Sequence, residues 1–259
     1  MNGEARGNDP GGSSNEIHPL LPESQGPLVW GEIFPGGGPV EIEVGSGKGK
    51  FLLAEAERRP AASFLGIERR VSHLMLSARR AAKRRLGNVH VMKADASEVL
   101  WRLVPAASVA VVHVYYPDPW WKARHKKRRI FTREFVADVA RALPEGGRLR
   151  VATDVEEYFH EIVSLVEESG LFGREPSSPG EFGTADRPLT AFQAKYVPLG
   201  RKVNGAAFVR NRTAAPPTPP PADRLKIARE RRRAGKAGAE KSSAGSADPA
   251  SPGKKAECP

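Results

Sequence analysis

Asp118 stands between two prolines in the run Tyr115-Tyr-Pro-Asp-Pro-Trp-Trp-Lys-Ala-Arg-His-Lys-Lys-Arg-Arg129. A proline on each side restricts the backbone, so the carboxylate is held in one place. Tyr116, Trp120 and Trp121 supply flat apolar surface on which a base can stack. Lys122, Arg124, Lys126, Lys127, Arg128 and Arg129 follow as a dense cationic cluster that can neutralise phosphates. A charge run alone is a solvated face. Here it adjoins a fixed acid among stacking rings, and the combination suits a base presented by a nucleic acid.

A second set of chemistry-bearing residues lies upstream. The run Val40-Glu-Ile-Glu-Val-Gly-Ser-Gly-Lys-Gly49 places glycines where an apolar strand gives way to a helical pattern, so a ligand can approach the backbone without meeting a Cβ. A tight structural turn would use the same glycines, and the third comes one residue too early for G-x-G-x-x-G. Glu68, closing Phe64-Leu-Gly-Ile-Glu68, can accept both hydroxyls of a ribose, and Asp95 closes the next strand in the same way. Carboxylates at Glu41, Glu68 and Asp95 around a glycine loop would repel a pyrophosphate. They suit a ligand with a sulfonium, an ammonium and an adenine amino group, which favours S-adenosyl-L-methionine over NAD. The plainer alternative is that Glu41 and Asp95 cap helices or pair with arginines. Asp154, after Thr153, reads equally as a helix N-cap or as a second acid near the base.

These residues need a scaffold that brings strand ends together. Val40–Val44, Ser63–Ile67, Val89–Lys93, Val109–Tyr115 and Arg148–Ala152 read as strands, and the segments between them as helices. In Arg70–Leu86, Val71, Leu74, Met75, Ala78 and Ala82 are predicted to form the apolar face, with Arg69, Arg79, Arg80, Arg84 and Arg85 outside it. Asp154–Glu168 repeats the helical pattern with Val155, Tyr158, Phe159, Ile162 and Val166. Strand-helix alternation implies a mostly parallel, doubly wound α/β sheet. Thr190–Tyr196 and Ala206–Arg210 read as its terminal strands.

The chain has 259 residues and a formal charge of +11, which favours a polyanionic partner. Residues 1–30 and 214–259 are poor in large apolar groups and are expected to be disordered, leaving residues 31–213 as the folded domain. The basic stretch Arg224–Arg233 in the second segment could add RNA affinity or be a solvated tail. The lone cysteine, Cys258, offers neither a disulfide framework nor a thiolate metal site, and no His or Cys cluster has metal-ligand spacing. The expectations are no metal, no membrane span and a cytoplasmic setting, with monomer and homodimer both open.

The motifs resemble the bacterial tRNA (guanine-N7)-methyltransferases. The resemblance covers about Val40 to Arg210 and rests on Glu41-x-x-x-Gly45-x-Gly47, Gly66-Ile-Glu68, Pro117-Asp-Pro-Trp120, Lys122-Ala-Arg-His-x-Lys-Arg-Arg129, Thr153-Asp154 and Thr190-x-Phe192. It implies a class I, Rossmann-like methyltransferase fold and methyl transfer from S-adenosyl-L-methionine to N7 of guanosine 46 in the tRNA variable loop. It further implies that Glu41, Gly45, Gly47, Glu68, Asp95 and Asp118 bind the cofactor and that Asp118 is catalytic. Lys122, Asp154, Thr190, Ala191, Phe192 and Gln193 would contact the substrate. Arg124, His125, Lys126, Lys127, Arg128 and Arg129 would hold the RNA. The family motif ends in Glu where this chain has Gln193, whose amide oxygen can still accept a hydrogen bond. A small-molecule methyltransferase would not need the basic cluster, and a purely RNA-binding protein would not need an intact glycine loop.

Overall fold

The computed structural model describes residues 26–176 and 190–212, together with the backbone of Ile17 and His18. Its first half contains β1 (Ile17–His18), α1 (Trp30–Ile33), β2 (Val40–Val44), α2 (Lys50–Arg58), β3 (Ser63–Glu68), α3 (Val71–Lys83), β4 (Val89–Lys93) and α4 (Ala96–Arg102). The second half contains β5 (Val111–Tyr115), α5 (Arg133–Ala142), β6 (Arg148–Thr153), α6 (Glu156–Glu168), β7 (Phe172–Arg174), α7 (Ala191–Tyr196) and β8 (Asn204–Arg210). Short 3-10 turns occupy Ala123–Arg128 and Val197–Leu199. The expected C-terminal tail at 214–259, with Arg224–Arg233 and Cys258, lies outside the described residues.

The strands form one sheet in the order β1-β4-β3-β2-β5-β6-β8-β7. Pairing is parallel from β1 through β6, and β8 runs antiparallel to both β6 and β7. This is the doubly wound α/β architecture expected from the alternating pattern. Successive strand residues point to opposite faces, so each face acquires its own core. Ile42, Val112 and Leu149 join residues of α4, α5 and α6 on one side, while Phe64 and Val91 pack with α2 and α3 on the other. Each fully buried large aliphatic side chain contributes about 1.5–3 kcal/mol relative to leaving it in water. Residues before the expected boundary at 31 already take part. Leu28 N donates to Leu103 O at 2.7 Å, and the Trp30 indole donates to Ser108 Oγ at 2.9 Å.

Two local expectations are corrected. Thr190–Tyr196 is not a strand: Thr190 caps helix α7 and Gln193 closes a capping box with it, so local hydrogen bonding at T-x-x-Q outweighs the aromatic content of the segment. In α3 the buried stripe is Leu74, Ser77, Ala78 and Ala81, spaced i, i+3, i+4, i+7. Val71 and Met75 are therefore turned outward, 48% and 37% exposed.

Candidate functional site

The strand order reverses between β2 and β5, and open α/β sheets bind ligands beyond the carboxyl ends of the strands at such a point. The glycine loop leaves β2 there. Gly45, Gly47 and Gly49 have φ of 73°, 55° and 71°, the left-handed region that favours glycine. A Cβ on Gly45 would meet nothing within 4 Å, whereas one on Gly49 would come 2.1 Å from Ser77 Oγ. The turn thus presents open backbone at its start and packs against α3 at its end. Glu68, at the tip of β3, accepts from Gly47 N at 2.8 Å and from Arg70 N at 2.7 Å, bracing the loop from the neighbouring strand.

Glu41 does not join this group. Its two oxygens accept from Arg59 Nη1 and Nη2 at 2.6 and 2.7 Å, and His113 Nε2 lies 2.9 Å from Oε2. Burial alone would raise its pKa, but His113 and Arg59 overturn that and bring it down to about 2. The acid assigned to the cofactor at position 41 is instead part of a structural ion-pair cluster. Glu43, two residues nearer Gly45 on the same strand face, has what Glu41 lacks. Its Oε2 is buried without a hydrogen-bond partner. Burial and the charge of Glu68 push its pKa up to about 8, against a hydrogen bond from the Leu52 backbone in the first turn of α2. The strand period could have found it, because of two acids on one face the later one lies closer to the ligand-binding edge. Asp95 takes the plainer of its two readings, a helix cap with an arginine nearby, Arg69 Nη1 lying 4.0 Å from Oδ2. It stands at the carboxyl end of β4 and caps α4, accepting from Ser97 N at 3.0 Å.

Asp118 is exposed in the turn that leaves β5. The residues flanking its Pro-Asp-Pro unit, Tyr116 and Trp120, have φ of 51° and 46°. Side-chain-bearing residues in that region cost of order 1–3 kcal/mol each, so surrounding structure must impose them. Arg129 does much of this. Its Nε donates to Pro119 O at 2.7 Å, its guanidinium lies 4.5 Å from the centre of the Tyr158 ring, and Nη1 pairs with Glu161 of α6. At 6% exposure it is a buried strut rather than a member of the phosphate-facing cluster, which corrects its assignment to RNA.

The expected substrate residues converge beside this turn. Phe192 stacks on Tyr116 and meets Tyr196 at a tilt, with centroid distances of 4.3 and 4.5 Å. Asp154, just after β6, pairs with Arg201, whose guanidinium lies 4.9 Å from the Tyr196 ring centre. Asp154 is not an N-cap, since α6 begins after Val155 with no side-chain cap and Thr153 Oγ1 takes the Val155 N–H at 3.2 Å. Burial, followed by the charge of Asp154, raises the pKa of the Tyr116 hydroxyl, which stays neutral near pH 7. Thr190 Oγ1 accepts from Gln193 N at 3.1 Å and Gln193 Oε1 accepts from Thr190 N at 2.9 Å, so glutamine fills the capping role open to glutamate. Ala191, the first residue of α7, is exposed.

Residues 37–206 match a family model described as a putative methyltransferase. A tRNA (guanine-N(7)-)-methyltransferase of Sodalis glossinidius is 37% identical over 186 residues, covering 71% of this chain and 77% of that protein. Its counterpart in Ralstonia pickettii is 35% identical over 205 residues, covering 75% of this chain and 76% of that protein. This chain belongs to the tRNA (guanine-N7)-methyltransferase family. A solved antibiotic-related methyltransferase shares the fold at 18% identity with a TM-score of 0.52, covering 71% of this chain and 92% of its own.

In this member of the tRNA (guanine-N7)-methyltransferase family the basic segment after Trp121 is wound into a 3-10 turn at Ala123–Arg128, seeded by His125 N donating to Lys122 O at 2.7 Å. Trp120 is enclosed by the turn, with Arg128 5.0 Å from the ring centre and His125 edge-on at 5.8 Å. It is therefore not a free stacking platform, whereas Trp121 is 67% exposed. Lys122, Arg124 and Lys127 are exposed, and Lys126 lies 3.4 Å from both Glu157 and Glu161. Among the described residues no helix is long and apolar enough to cross a membrane.

Proposed function

We propose that the protein transfers a methyl group from S-adenosyl-L-methionine to N7 of guanosine 46 in the variable loop of tRNA. The observation that carries this reading is the meeting, at one sheet edge, of an open glycine loop underlain by an unpartnered buried carboxylate oxygen and a strained turn that presents an acid beside an exposed basic segment. The backbone at Gly45 and Gly47, with Glu43, Glu68, Asp95 and Asp118, would hold the cofactor. Glu41 acts behind them as a fold-stabilising ion pair. The cofactor supplies an electrophilic methyl group on a sulfonium.

Guanine N7 has an in-plane lone pair, so its bond to carbon forms as the sulfur–carbon bond breaks and no proton leaves N7. The protein's task is placement, which makes a bimolecular displacement effectively unimolecular. Positive charge passes to the purine, and the fixed Asp118 carboxylate stabilises it there. The same carboxylate can accept hydrogen bonds from N1–H and the 2-amino group, which guanine has and adenine lacks. Lys122, Asp154 and Thr190, Ala191, Phe192 and Gln193 frame the nucleoside, while Arg124, His125, Lys126, Lys127 and Arg128 face the phosphates.

A tRNA transcript with adenosine at position 46 is expected to lose methylation while retaining binding. Methylation of a second guanosine at an undiminished rate would overturn the positional assignment. With tRNA below saturation, the rate is expected to fall at least tenfold between about 50 and 200 mM salt, through lost counterion release. A flat salt profile would favour a small-molecule substrate.

Arg129 acts through the Asp118 turn rather than on the RNA. Arg129→Lys keeps the charge but loses the planar fork that joins Pro119 O, Glu161 and Tyr158. Its kcat is expected to fall about 100-fold, the scale of a misplaced reacting group, with little change in KM for tRNA. A raised KM at unchanged kcat would return Arg129 to the RNA-binding set.

A further inference from the structure

Helix α3 carries a charge pattern that the site described above does not use. From Arg69 to Lys93 the chain has eight lysines and arginines and no aspartate or glutamate. Arg79 and Lys83 are exposed one helical turn apart, as are Arg80 and Arg84. Like charges spaced i, i+4 destabilise a helix by a few tenths of a kcal/mol per pair, and helices that merely face water usually interleave acids with such bases. Arg84 reaches Glu57 at 3.3 Å and Arg80 donates to Lys48 O at 3.0 Å. Arg79 and Lys83 form no ion pair among the described residues. On the opposite side of the sheet, α6 contains five glutamates and no lysine or arginine. Charge thus differs between these two helices: the surface of α3 attracts a polyanion and that of α6 does not.

The helix also begins at the proposed catalytic edge. Its N-cap is Arg70, whose backbone N–H is held by Glu68, and the outward-turned Val71 and Met75 occupy its first turns. An exposed row therefore starts apolar at Val71 and Met75 and becomes cationic at Arg79 and Lys83. Thirteen helical residues at 1.5 Å each extend it about 20 Å from the cofactor edge. Apolar contact near the site followed by cations suits a ribose and base first, then a phosphate backbone leading away.

We propose that the exposed row of α3, with Arg79 and Lys83 at its centre, is a second tRNA-binding surface that holds the phosphate backbone away from the methylated nucleoside. The proposal rests on tRNA being the substrate and adds a contact region across the sheet from α6, separate from the Ala123–Arg128 turn.

The test is the double variant Arg79→Gln/Lys83→Gln, compared with the parent for direct binding of unmodified tRNA across a salt series. Both side chains are exposed, so the fold and S-adenosyl-L-methionine affinity should be unchanged. The expected result is about tenfold weaker tRNA binding at about 100 mM salt. The log-log salt slope should shrink by about 1.5, as two phosphate contacts at 0.7–0.9 each require. At saturating tRNA kcat should match the parent, with the loss appearing in KM. Affinity and slope equal to the parent's would overturn the second surface while leaving the methyltransferase reading intact. A parent protein that binds no tRNA would overturn both. Because binding is measured directly, a parent that binds tRNA without methylating it still tests the surface.

Discussion

Asp118→Asn is expected to retain most of its affinity for S-adenosyl-L-methionine and to lose methyl transfer by about 100-fold or more, the scale on which preorganised electrostatic groups act. The substitution preserves size and leaves the turn intact, because the turn is held by Arg129 on Pro119 O and by the flanking prolines rather than by the Asp118 side chain. In the proposed reaction it removes the negative charge that would face the purine as positive charge arrives. It also replaces a pure acceptor by a group that can present a donor to the guanine N1–H. Single-turnover rates with bound cofactor separate the two steps. A near-normal rate would mean that placement alone carries the reaction. Loss of cofactor binding with a normal rate at saturation would make Asp118 a cofactor residue only.

Glu41→Gln and Glu43→Gln are expected to fail in opposite ways, although the two acids lie two residues apart on one strand. Glu41 has a depressed pKa, so the stability it supplies is fully present above its unfolded value of 4.5 and is lost as pH falls toward about 2. Replacing it at neutral pH removes one of the two carboxylates on Arg59, which keeps its pair with Glu55 at 2.6 Å, and is expected to cost about 2 kcal/mol, the scale of a hydrogen bond to a charged group. Cofactor affinity should survive in protein that remains folded. Glu43 has the reverse sign. Its raised pKa means that its favourable contribution is full below 4.5 and lost as pH climbs toward about 8. Glu43→Gln should therefore flatten that decline while weakening cofactor binding about tenfold, the loss of roughly 1.4 kcal/mol. A cationic ligand beside Glu43 favours its ionised form, so parent affinity should rise with pH up to about 8, and the variant's should not. Thermal melts and cofactor titrations across pH read both effects. An unshifted melting temperature in Glu41→Gln, with cofactor binding lost, would exchange the two roles.

The contrast between these acids marks how far the sequence could be read. The strands were legible because Val40–Val44, Ser63–Glu68 and Val111–Tyr115 are short runs, the first and last rich in β-branched residues, buried on both faces and bounded by turn or helical patterns. The turn proposed as catalytic was legible because prolines on both sides of Asp118 leave few alternatives. What stayed hidden depends on long-range partners. Nothing local says that Arg59, 18 residues away, and His113, 72 residues away, claim Glu41, or that Arg129 folds back onto Pro119 O. Helix α7 was misread for a different reason: its aromatic residues suit a strand, and only the reciprocal bonds between Thr190 and Gln193 decide for a helix. The same reciprocity accounts for Gln193, which keeps an acceptor where the family motif has a carboxylate. In α3 the error was one of phase, since the apolar residues at 71 and 75 sit one step outside the stripe that packing selects.

Methyl transfer from labelled S-adenosyl-L-methionine to unmodified tRNA, followed by digestion to nucleosides, tests the central claim most directly. Label recovered as 7-methylguanosine, and lost when guanosine 46 is replaced, is the expected result. Label in a different nucleoside, or none from protein that binds both cofactor and tRNA, would contradict it.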